Sequence, residues 1–536
     1  MVFKHVVFFA FYSFFQFSLL LFDLKPTLSH DWRVHRPQGT VRVLDFGFVS
    51  ASVAQNYAEG LVGLDTNNNH VPCLAEDWRW IDDKTIEFKL RKGVTFHNGE
   101  IFNAEAVKIN WQFYKGMETP RVIRLTELPD ETELTVIDDY TVRFHLPKPD
   151  GLYLVKFWFF YMIAPSYFRQ NQFDEKQWGY LREAGPWGTG PFRLVKGSCL
   201  LGKPSDEQIL EAYEDYWDRK YPKLKRVIFD NSMQTEKAEA MRRCMEKEGQ
   251  MDIVSNIRPL DTLKVAESSY ANVVKSKDIS VYLGWLNLRK TNSILNDLRI
   301  RKALNYAINR EELWQYGAKG NAYNLGGYIP KGGSGHNPNL NLYVYDTHKA
   351  RSLLTEAGYP DGFELRIIAR LGDELLGQII TRMLQRIGLE VRIDYLKWPI
   401  EIHSRTYVPL LAKPPEQQDW DIFLCYWGDA YGHPGANILP YPFLEDSNMR
   451  WIKYDLEYEK MFEEMATTVD REVQERKMQE MAQYVYDKAY LLFIYSPLTL
   501  YAVNKEVNFV PQKGIWMRMK ETSVTENHWS IRGKNN

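Results

Sequence analysis

The sequence predicts an α/β protein of at least two lobes. The chain has 536 residues, whereas a single hydrophobic core stops growing near roughly 250 to 300 residues. Hydrophobic residues at 45% and charged residues at 25% are close to the average of globular domains, so the composition can supply more than one core. The pattern changes from hairpins in the first half to alternating helices and strands in the second, which predicts a lobe boundary near residue 285.

Strands and one helix make up the pattern of the first half. Residues 41–48 are predicted to form a strand, and residues 85–90 alternate polar and apolar side chains as a half-buried strand does. Asn103 is placed to cap a helix whose apolar residues recur at spacings of four and three. Residues 134–146 alternate on either side of an acidic turn, which predicts a hairpin.

Helices and strands alternate in the second half. Residues 299–314 carry an apolar stripe at helical spacing. Asp346 is predicted to cap a further helix, which Gly358 ends with a left-handed residue. The remaining predicted elements are a helix at residues 376–387 and strands at residues 389–395 and 421–427.

The first thirty residues have the pattern of an export signal. Residues 6–22 form an apolar run after Lys4, longer than the ~7 to 15 residues of a typical signal core and shorter than the ~20 of a membrane span. We expect a signal peptide at residues 1–29, with an uncleaved anchor as the alternative. No cysteine precedes Cys73, so no lipid anchor is expected and the mature chain is predicted to be periplasmic.

Charge and cysteine content argue against several partners and sites. The 67 basic and 69 acidic residues give a formal net charge of -2, so neither nucleic acid nor an anionic membrane is expected as a partner. The cysteines show none of the short spacings of zinc or redox sites, and no metal or cofactor is predicted. Buried free thiols are expected, although an oxidising compartment would permit disulfides. The cysteines are Cys73, Cys199, Cys244 and Cys425.

Two segments that resemble reactive sites are interpreted as structural. His97 has no acidic or thiol partner at metal-ligand spacing. Residues 332–336 lack the last glycine of a G-x-S-x-G nucleophile turn. No set of nucleophile, base and orienting group can be assigned, so the protein is not expected to be an enzyme.

Several long motifs follow one another along the chain. They are EGLVGLD at residues 59–65, PCLAEDW at 72–78, FKLRKGVTFHNGEIFNAEAV at 88–107, GTGPFRL at 188–194, YEDYWDRKYPKL at 213–224, DLRIRKALNYAINREEL at 297–313 and KARSLLTEAGYPDGF at 349–363. In this order they closely resemble the signature of the family 5 extracellular solute-binding proteins, a group that includes oligopeptide, dipeptide and nickel binders. The resemblance extends over the chain after residue 38.

The resemblance implies a fold and a function. The fold would be of the type II periplasmic-binding-protein kind, with lobe I at residues 38–72, 186–284 and 495–530, an extra domain at 73–185, and lobe II at 285–494. A monomer would capture a peptide or peptide-like solute in the interlobe cleft and deliver it to the permease subunits of an ABC importer. The alternatives are a sensor subunit that uses the same cleft and an importer subunit for a non-peptide solute.

The loop at residues 427–434 carries the expected ligand contacts. In peptide-binding members it resembles W-x-x-D-x-x-x-P, in which the Asp pairs with the terminal ammonium of the peptide. Trp427 and Pro434 keep this spacing, but the Asp position falls on Ala430, and Asp429 stands one residue earlier. Either the loop bulges so that Asp429 reaches the cleft, or the ligand has no terminal ammonium; Asp429 as a turn residue bonded to its own backbone is the competing interpretation. The candidate contacts are Trp427, Asp429, Tyr431, His433 and Tyr426.

Overall fold

The computed structural model describes the chain from residue 36 onward, with gaps. The predicted signal segment lies outside the described residues, and the described residues from Pro37 onward belong to one compact unit. The described ranges are 36–46, 49–115, 128–170, 183–199, 205–234, 236–277, 279–325, 327–340, 343–397, 418–440, 442–445, 447 and 450–532.

The strands of these ranges are numbered in chain order. They are β1 Thr40–Leu44, β2 Val62–Leu64, β3 His70–Pro72, β4 Ala75–Trp80, β5 Thr85–Leu90, β6 Glu133–Asp138, β7 Thr141–His145, β8 Phe192–Lys196, β9 Glu207–Ala212, β10 Arg226–Asp230, β11 Ile253–Val254, β12 Ala271–Ser276, β13 Val281–Leu286, β14 Ala322–Tyr323, β15 Glu364–Arg370, β16 Glu390–Leu396, β17 Ile422–Trp427, β18 Leu491–Pro497, β19 Thr499–Asn504, β20 Val507–Asn508 and β21 Ser523–Val524.

The α-helices are numbered in the same way. They are α1 Val49–Tyr57, α2 Ala104–Tyr114, α3 Tyr153–Phe159, α4 Pro165–Gln170, α5 Lys237–Cys244, α6 Thr262–Glu267, α7 Leu298–Ala307, α8 Arg310–Glu312, α9 Thr347–Glu356, α10 Glu374–Gln385, α11 Leu456–Ala466 and α12 Arg471–Asp487. Short 3-10 helices occur at Pro259–Asp261, Ile294–Asn296 and Pro434–Ala436, and a π-helical turn at Leu313–Gly317.

A seven-stranded sheet has the order β12-β19-β11-β1-β10-β9-β8. Its central strand β1 runs parallel to β10 and to β11, with Val41 opposite Val227 and Val43 opposite Ile253. These two valines on one face and Leu44 on the other are fully buried, as expected of a strand that is covered on both faces. Helices α5 and α6 cover one face of this sheet through a small apolar cluster that includes Met241.

A six-stranded sheet has the order β14-β18-β13-β17-β15-β16. Strand β17 lies inside it, parallel to β15 and antiparallel to β13. Its last residue, Trp427, is opposite Val281, the first residue of β13. The loop that follows β17 therefore begins at the end of the sheet where β13 enters.

The chain crosses between these two sheets at neighbouring points. Residues 277–280 join β12 to β13, and Leu498 alone separates β18 from β19. The two crossings are linked, because Ser496 Oγ donates to the backbone oxygen of Ser280 at 2.7 Å. The loop after β17 thus begins close to the segments that connect the sheets.

A four-stranded antiparallel sheet, β4-β5-β7-β6, forms a third layer. Phe88 and Phe144 from this sheet pack on Phe157 of α3, with ring centroids 4.4 and 4.7 Å away. The apolar segment at 152–164 is core, because its buried residues belong to the two large hydrophobic clusters of the chain. No helix among the described residues is long and apolar enough to cross a membrane.

Most local predictions are confirmed by the structure. Asn103 Oδ1 accepts from the backbone N–H of Ala106 at 3.0 Å and caps α2. Asp346 Oδ1 accepts from Lys349 N at 2.8 Å and caps α9. Gly358 has a φ of +92°, the left-handed conformation that stops the helix.

Two element boundaries were wrong. The strand predicted at 41–48 ends at Leu44, and residues 47 and 48 lie outside the described residues. Directly after the strand, the buried Asp45 carboxylate accepts from the Ser52 hydroxyl at 2.5 Å. The helix predicted at 299–314 breaks after Ala307. The buried Arg310 guanidinium there donates to the Tyr343 carbonyl at 2.8 Å, and such a bond stabilises the broken backbone.

The predicted burial of the cysteines and of strand β5 also differs from the structure. All four cysteines are free, but Cys73 is only half-buried while the other three are buried. Strand β5 forms as predicted but is mostly buried. Its Glu87 carboxylate is buried because Arg79 and Arg143 each donate to it at 2.7 Å.

Candidate functional site

Asp429 is held as a turn residue inside the loop after β17. Its Oδ1 accepts from the backbone N–H groups of Tyr431 and Gly432, both at 3.0 Å, and from Asn437 Nδ2 at 3.3 Å. Its Oδ2 accepts from Asn68 Nδ2 at 3.3 Å. Burial raises the pKa of Asp429, and these bonds oppose that rise. The geometry matches the turn interpretation; contact of Asp429 with a ligand stays a prediction.

Asn437 organises the same loop from the other side. Its Oδ1 accepts from Trp427 Nε1 at 2.6 Å, and its Nδ2 donates to the Gly428 carbonyl at 3.0 Å. The Trp427 ring packs 5.6 Å from the ring of Trp285 in the core of the six-stranded sheet. The side chain of Trp427 therefore anchors the start of the loop to the sheet.

The other candidate contacts lie around the loop. Tyr426 shares a hydrogen bond of 2.7 Å with Ser280, at one crossing between the sheets. The Tyr431 ring lies edge-on to Phe159 at 5.3 Å and to Trp516 at 6.0 Å, so it faces residues from outside the six-stranded sheet.

His433 is tied to helix α12. Its Nδ1 accepts from Gly435 N at 3.1 Å, which places the ring proton on Nε2, 3.0 Å from Gln474 Oε1. Burial lowers the pKa of His433 and favours this neutral form. Gln474 Nε2 donates in turn to the Gly151 carbonyl at 3.0 Å. The loop is thus connected through α12 to the segment before α3.

Ala430, the residue at the position of the expected Asp, faces a recess. The empty volume of this recess, about 200 Å³, includes space open to solvent. The residues that line it are far apart in the sequence: Gln55, Leu64, Asn68, Trp158, Ala430, Gly514, Ile515, Trp516 and Arg518. A second recess of about 470 Å³, which includes space open to solvent, shares Gln55, Leu64, Trp158 and Arg518 with it and extends to Glu59 and Lys520.

Arg518 supplies a half-buried positive charge to both recesses. Its guanidinium donates to the carbonyls of Leu64 and Asp65, each at 2.7 Å, and to Gln512 Oε1 at 2.9 Å. Burial lowers the pKa of Arg518 to about 10, while the nearby Asp65 opposes that change. The group remains charged at neutral pH.

Glu59 lies in the larger recess and is fully engaged by its neighbours. It accepts from the Tyr216 hydroxyl at 2.7 Å and from Trp217 Nε1 at 3.1 Å. Burial raises the pKa of Glu59, and these two bonds oppose it. The carboxylate therefore acts as a half-buried acceptor for protein donors.

His97 and the acidic side chains offer no metal centre among the residues that the structure describes. No group of three or more His, Cys, Asp and Glu side chains there could hold a metal ion. His97 is buried and its Nε2 lies 2.8 Å from the Gly190 carbonyl, as the structural interpretation of this residue requires. Burial lowers the pKa of His97 to about 3.

A family profile matches most of this chain. The profile described as bacterial extracellular solute-binding proteins, family 5 Middle, matches residues 69–448. The chain belongs to this family. Its members are solute-binding proteins and not enzymes.

A curated relative of the family binds glutathione. The glutathione-binding protein GsiB of Pectobacterium atrosepticum is 27% identical over 358 residues, which are 64% of this chain and 64% of that protein. The chain therefore matches slightly less than two thirds of the length of this relative.

Solved structures of family 5 proteins share the fold. The ABC transporter substrate-binding protein CtaP of Listeria monocytogenes has a TM-score of 0.77 and 20% identity, covering 92% of this chain and all of that one. The periplasmic binding protein DppA of Helicobacter pylori, in complex with the peptide STSA, has a TM-score of 0.71 and 20% identity, covering 91% and 99%. The predicted α/β fold class is thereby confirmed.

Sequence reasoning missed most residues of the recess. It identified the loop through the spacing of Trp427 and Pro434 but not its supports, Asn68 and Asn437. It also did not find Gln55, Trp158, Trp516 or Arg518. Asn68 carried one local signal in the sequence, because it lies in a polar run that is typical of a turn. In the structure its φ is +67°, a conformation that Asn tolerates.

Proposed function

We propose that the protein is the extracytoplasmic substrate-binding component of an ABC importer. It captures a peptide or peptide-like solute in a cleft between two lobes and delivers it to a membrane permease. The observation that carries this proposal is the recess at Ala430, where a loop of the six-stranded sheet meets residues 514–518 and Trp158. Family membership and the likeness to the peptide complex of DppA support it.

The proposed lobes correspond approximately to the two large sheets. Lobe I comprises residues 38–72, 186–284 and 495–530, with the extra domain at 73–185, and lobe II comprises residues 285–494. The crossings from β12 to β13 and from β18 to β19 lie within a few residues of two of these limits, although the limits at 284/285 and 494/495 cut β13 and β18 themselves. Short paired connections of this kind can act as a hinge between lobes.

The candidate contacts have distinct roles in this proposal. Tyr431 faces the cleft through its ring, while Trp427, Asp429 and His433 hold the loop in place through Asn437, Asn68 and Gln474. Tyr426 ties the loop to the crossing at Ser280. The mature protein acts as a periplasmic monomer after removal of residues 1–29.

The proposal is tested by ligand-linked closure. Mass spectrometry of small molecules released from purified protein by mild denaturation identifies a candidate solute. That solute is expected to raise the unfolding temperature, since a hundredfold excess over Kd adds about 2.7 kcal/mol of stability. It is also expected to reduce the radius of gyration in X-ray scattering. A tight solute that changes neither quantity contradicts capture by hinge closure.

A further inference from the structure

Trp516 and Arg518 bring hydrogen-bond donors to the lining of the recess at Ala430. We propose that it receives the carboxylate end of the solute, with a flat or apolar group beside it, and not an ammonium. This inference rests on the proposed function, since it assigns the chemistry of the same cleft. The donors, the acceptors and the aromatic walls of the recess support it separately.

The donors include one buried N–H that has no protein acceptor. Trp516 lines the recess, and its indole Nε1 is buried without a hydrogen-bond partner. A buried donor without an acceptor costs about 1 to 3 kcal/mol, so an acceptor atom of a bound solute would stabilise it. Arg518 adds a positive charge to the same recess, and the hydrogen bonds above use three of its five N–H donors.

The three carboxylates around the recess are already engaged. Asp429 accepts four hydrogen bonds from the protein through its two oxygens. Asp65 accepts from the backbone N–H groups of Asn67 and Asn69 at 2.8 and 2.9 Å. Glu59 is bonded to Tyr216 and Trp217. An ammonium would find no free carboxylate among these three, and it would be repelled by Arg518.

The residue from the loop that faces the recess is Ala430, whose methyl group brings neither charge nor hydrogen-bonding capacity. The carboxylate of the neighbouring Asp429 cannot replace it without breaking the bonds to Tyr431 and Gly432 that shape the turn. The electrostatic character of the recess is therefore set by Arg518 on its opposite wall. Lys520 in the adjoining recess has the same sign.

Two aromatic rings, those of Trp158 and Trp516, form part of the wall. The indoles of Trp158 and Trp516 are stacked at 5.2 Å with an angle of 25°, and Phe159 lies edge-on to Trp516 at 5.7 Å. Such faces bind flat or apolar groups, and the ring edges add weak donor character. A carboxylate attached to an apolar group satisfies both the walls and the donors.

Phenylacetate and phenethylamine test the charge preference with a shared ring. The two probes are titrated against the full mature protein, with unfolding temperature and tryptophan fluorescence as readouts. Phenylacetate is expected to bind with a Kd at least about tenfold lower than that of phenethylamine, as expected for one charge-assisted contact. Equal binding, tighter binding of the amine, or no binding of phenylacetate up to ~10 mM would overturn the inference.

Two pairs of variants locate the probe. Trp516→Phe keeps the aromatic ring and removes the indole N–H, so it is expected to weaken phenylacetate about fivefold or more. Trp314→Phe, at an indole 38% exposed outside the recess, should leave binding unchanged. Ala430→Asp should abolish phenylacetate binding by placing a like charge in the recess, while the neutral Ala430→Asn should weaken it less. No effect of either Trp516→Phe or Ala430→Asp contradicts the assignment.

The outcomes separate this inference from the proposed function. Selective binding of phenylacetate that depends on Trp516, without closure by any solute recovered from the protein, would leave the recess assignment standing and remove the importer proposal. Closure by a recovered solute that binds through an ammonium, with no preference for phenylacetate, would remove the recess assignment and leave the importer proposal standing.

Discussion

Asn68 Nδ2 lies 3.3 Å from Asp429 Oδ2, and both side chains are buried. The contact joins the turn between β2 and β3 to the loop after β17, on opposite sides of the recess at Ala430. It is a direct hydrogen bond across the proposed cleft. The position of the loop therefore depends on a residue about 360 positions earlier in the chain.

Removal of the Asn68 amide should weaken solute binding. Asn68→Gly keeps the positive φ of +67° accessible and deletes only the side chain. We expect solute affinity to fall about fivefold to tenfold, because one hydrogen bond that holds the cleft together is lost. Calorimetry measures the change, and Asn67→Gly in the exposed part of the same turn is the control. Unchanged affinity in Asn68→Gly would show that this contact does not contribute to closure.

Asp429→Asn should lower the free energy of unfolding and should leave the preference between charged and uncharged peptide termini unchanged. An amide at this position places a donor against Asn68 Nδ2 or Asn437 Nδ2, so a free-energy loss of about 1 to 2 kcal/mol in urea unfolding is expected. Affinities for a peptide and its acetylated form should change by the same factor. Selective loss of the free-amine peptide in calorimetry would instead make Asp429 the ammonium anchor.

Trp427→Ala should weaken binding of the true solute by about 2 kcal/mol, in the range of a buried aromatic anchor. The structure adds a reason, because the indole fixes the loop through Asn437 and Trp285. Trp427→Phe keeps the ring and loses only the bond to Asn437, so its effect should be smaller. Equal losses in the two variants, measured by calorimetry, would mean that the ring itself adds nothing.

His97 should make the protein less stable in acid. The pKa of His97 is lowered to about 3 in the folded state, whereas the unfolded chain has the ordinary value near ~6.5. The stability that neutral His97 contributes is therefore complete above pH ~6.5 and is lost as the pH falls toward 3, because between these pH values only the unfolded chain takes up the proton. Between pH 7.5 and 5.0 the loss is about 2 kcal/mol.

Urea unfolding at the two pH values measures this loss. His97→Gln retains an N–H donor toward the Gly190 carbonyl but cannot titrate. The pH dependence of this variant should be smaller than that of the wild type by about the same amount. Identical pH dependence in both proteins would show that the pKa of His97 is not lowered in the folded state.

Removal of the predicted signal should leave a mature chain that begins near His30. The loss of Lys4, Lys25 and Asp23 changes the formal net charge from -2 to -3, since two positive charges and one negative charge leave. N-terminal sequencing of protein from the native host checks the cut. Retention of Met1 would indicate an uncleaved anchor.

Local signals predicted many elements correctly because their causes are local. The side chains of Asn103 and Asp346 bond to backbone groups three residues away, and Gly358 needs only its own conformation. Helix α7 ended early for a tertiary reason. Arg310 bonds to Tyr343, which is 33 residues away and carries no signal within the apolar stripe.

The sequence alone determined the α/β class, the position of the candidate loop and the motifs of the family. Each depends on residues close together in the chain, whose spacing is visible without coordinates. Only the tertiary structure decided what the loop presents, because the orientation of Asp429 depends on Asn68 and the recess at Ala430 is completed by Trp158, Trp516 and Arg518. These residues meet only when the sheets pack together, and no periodic pattern connects such distant positions.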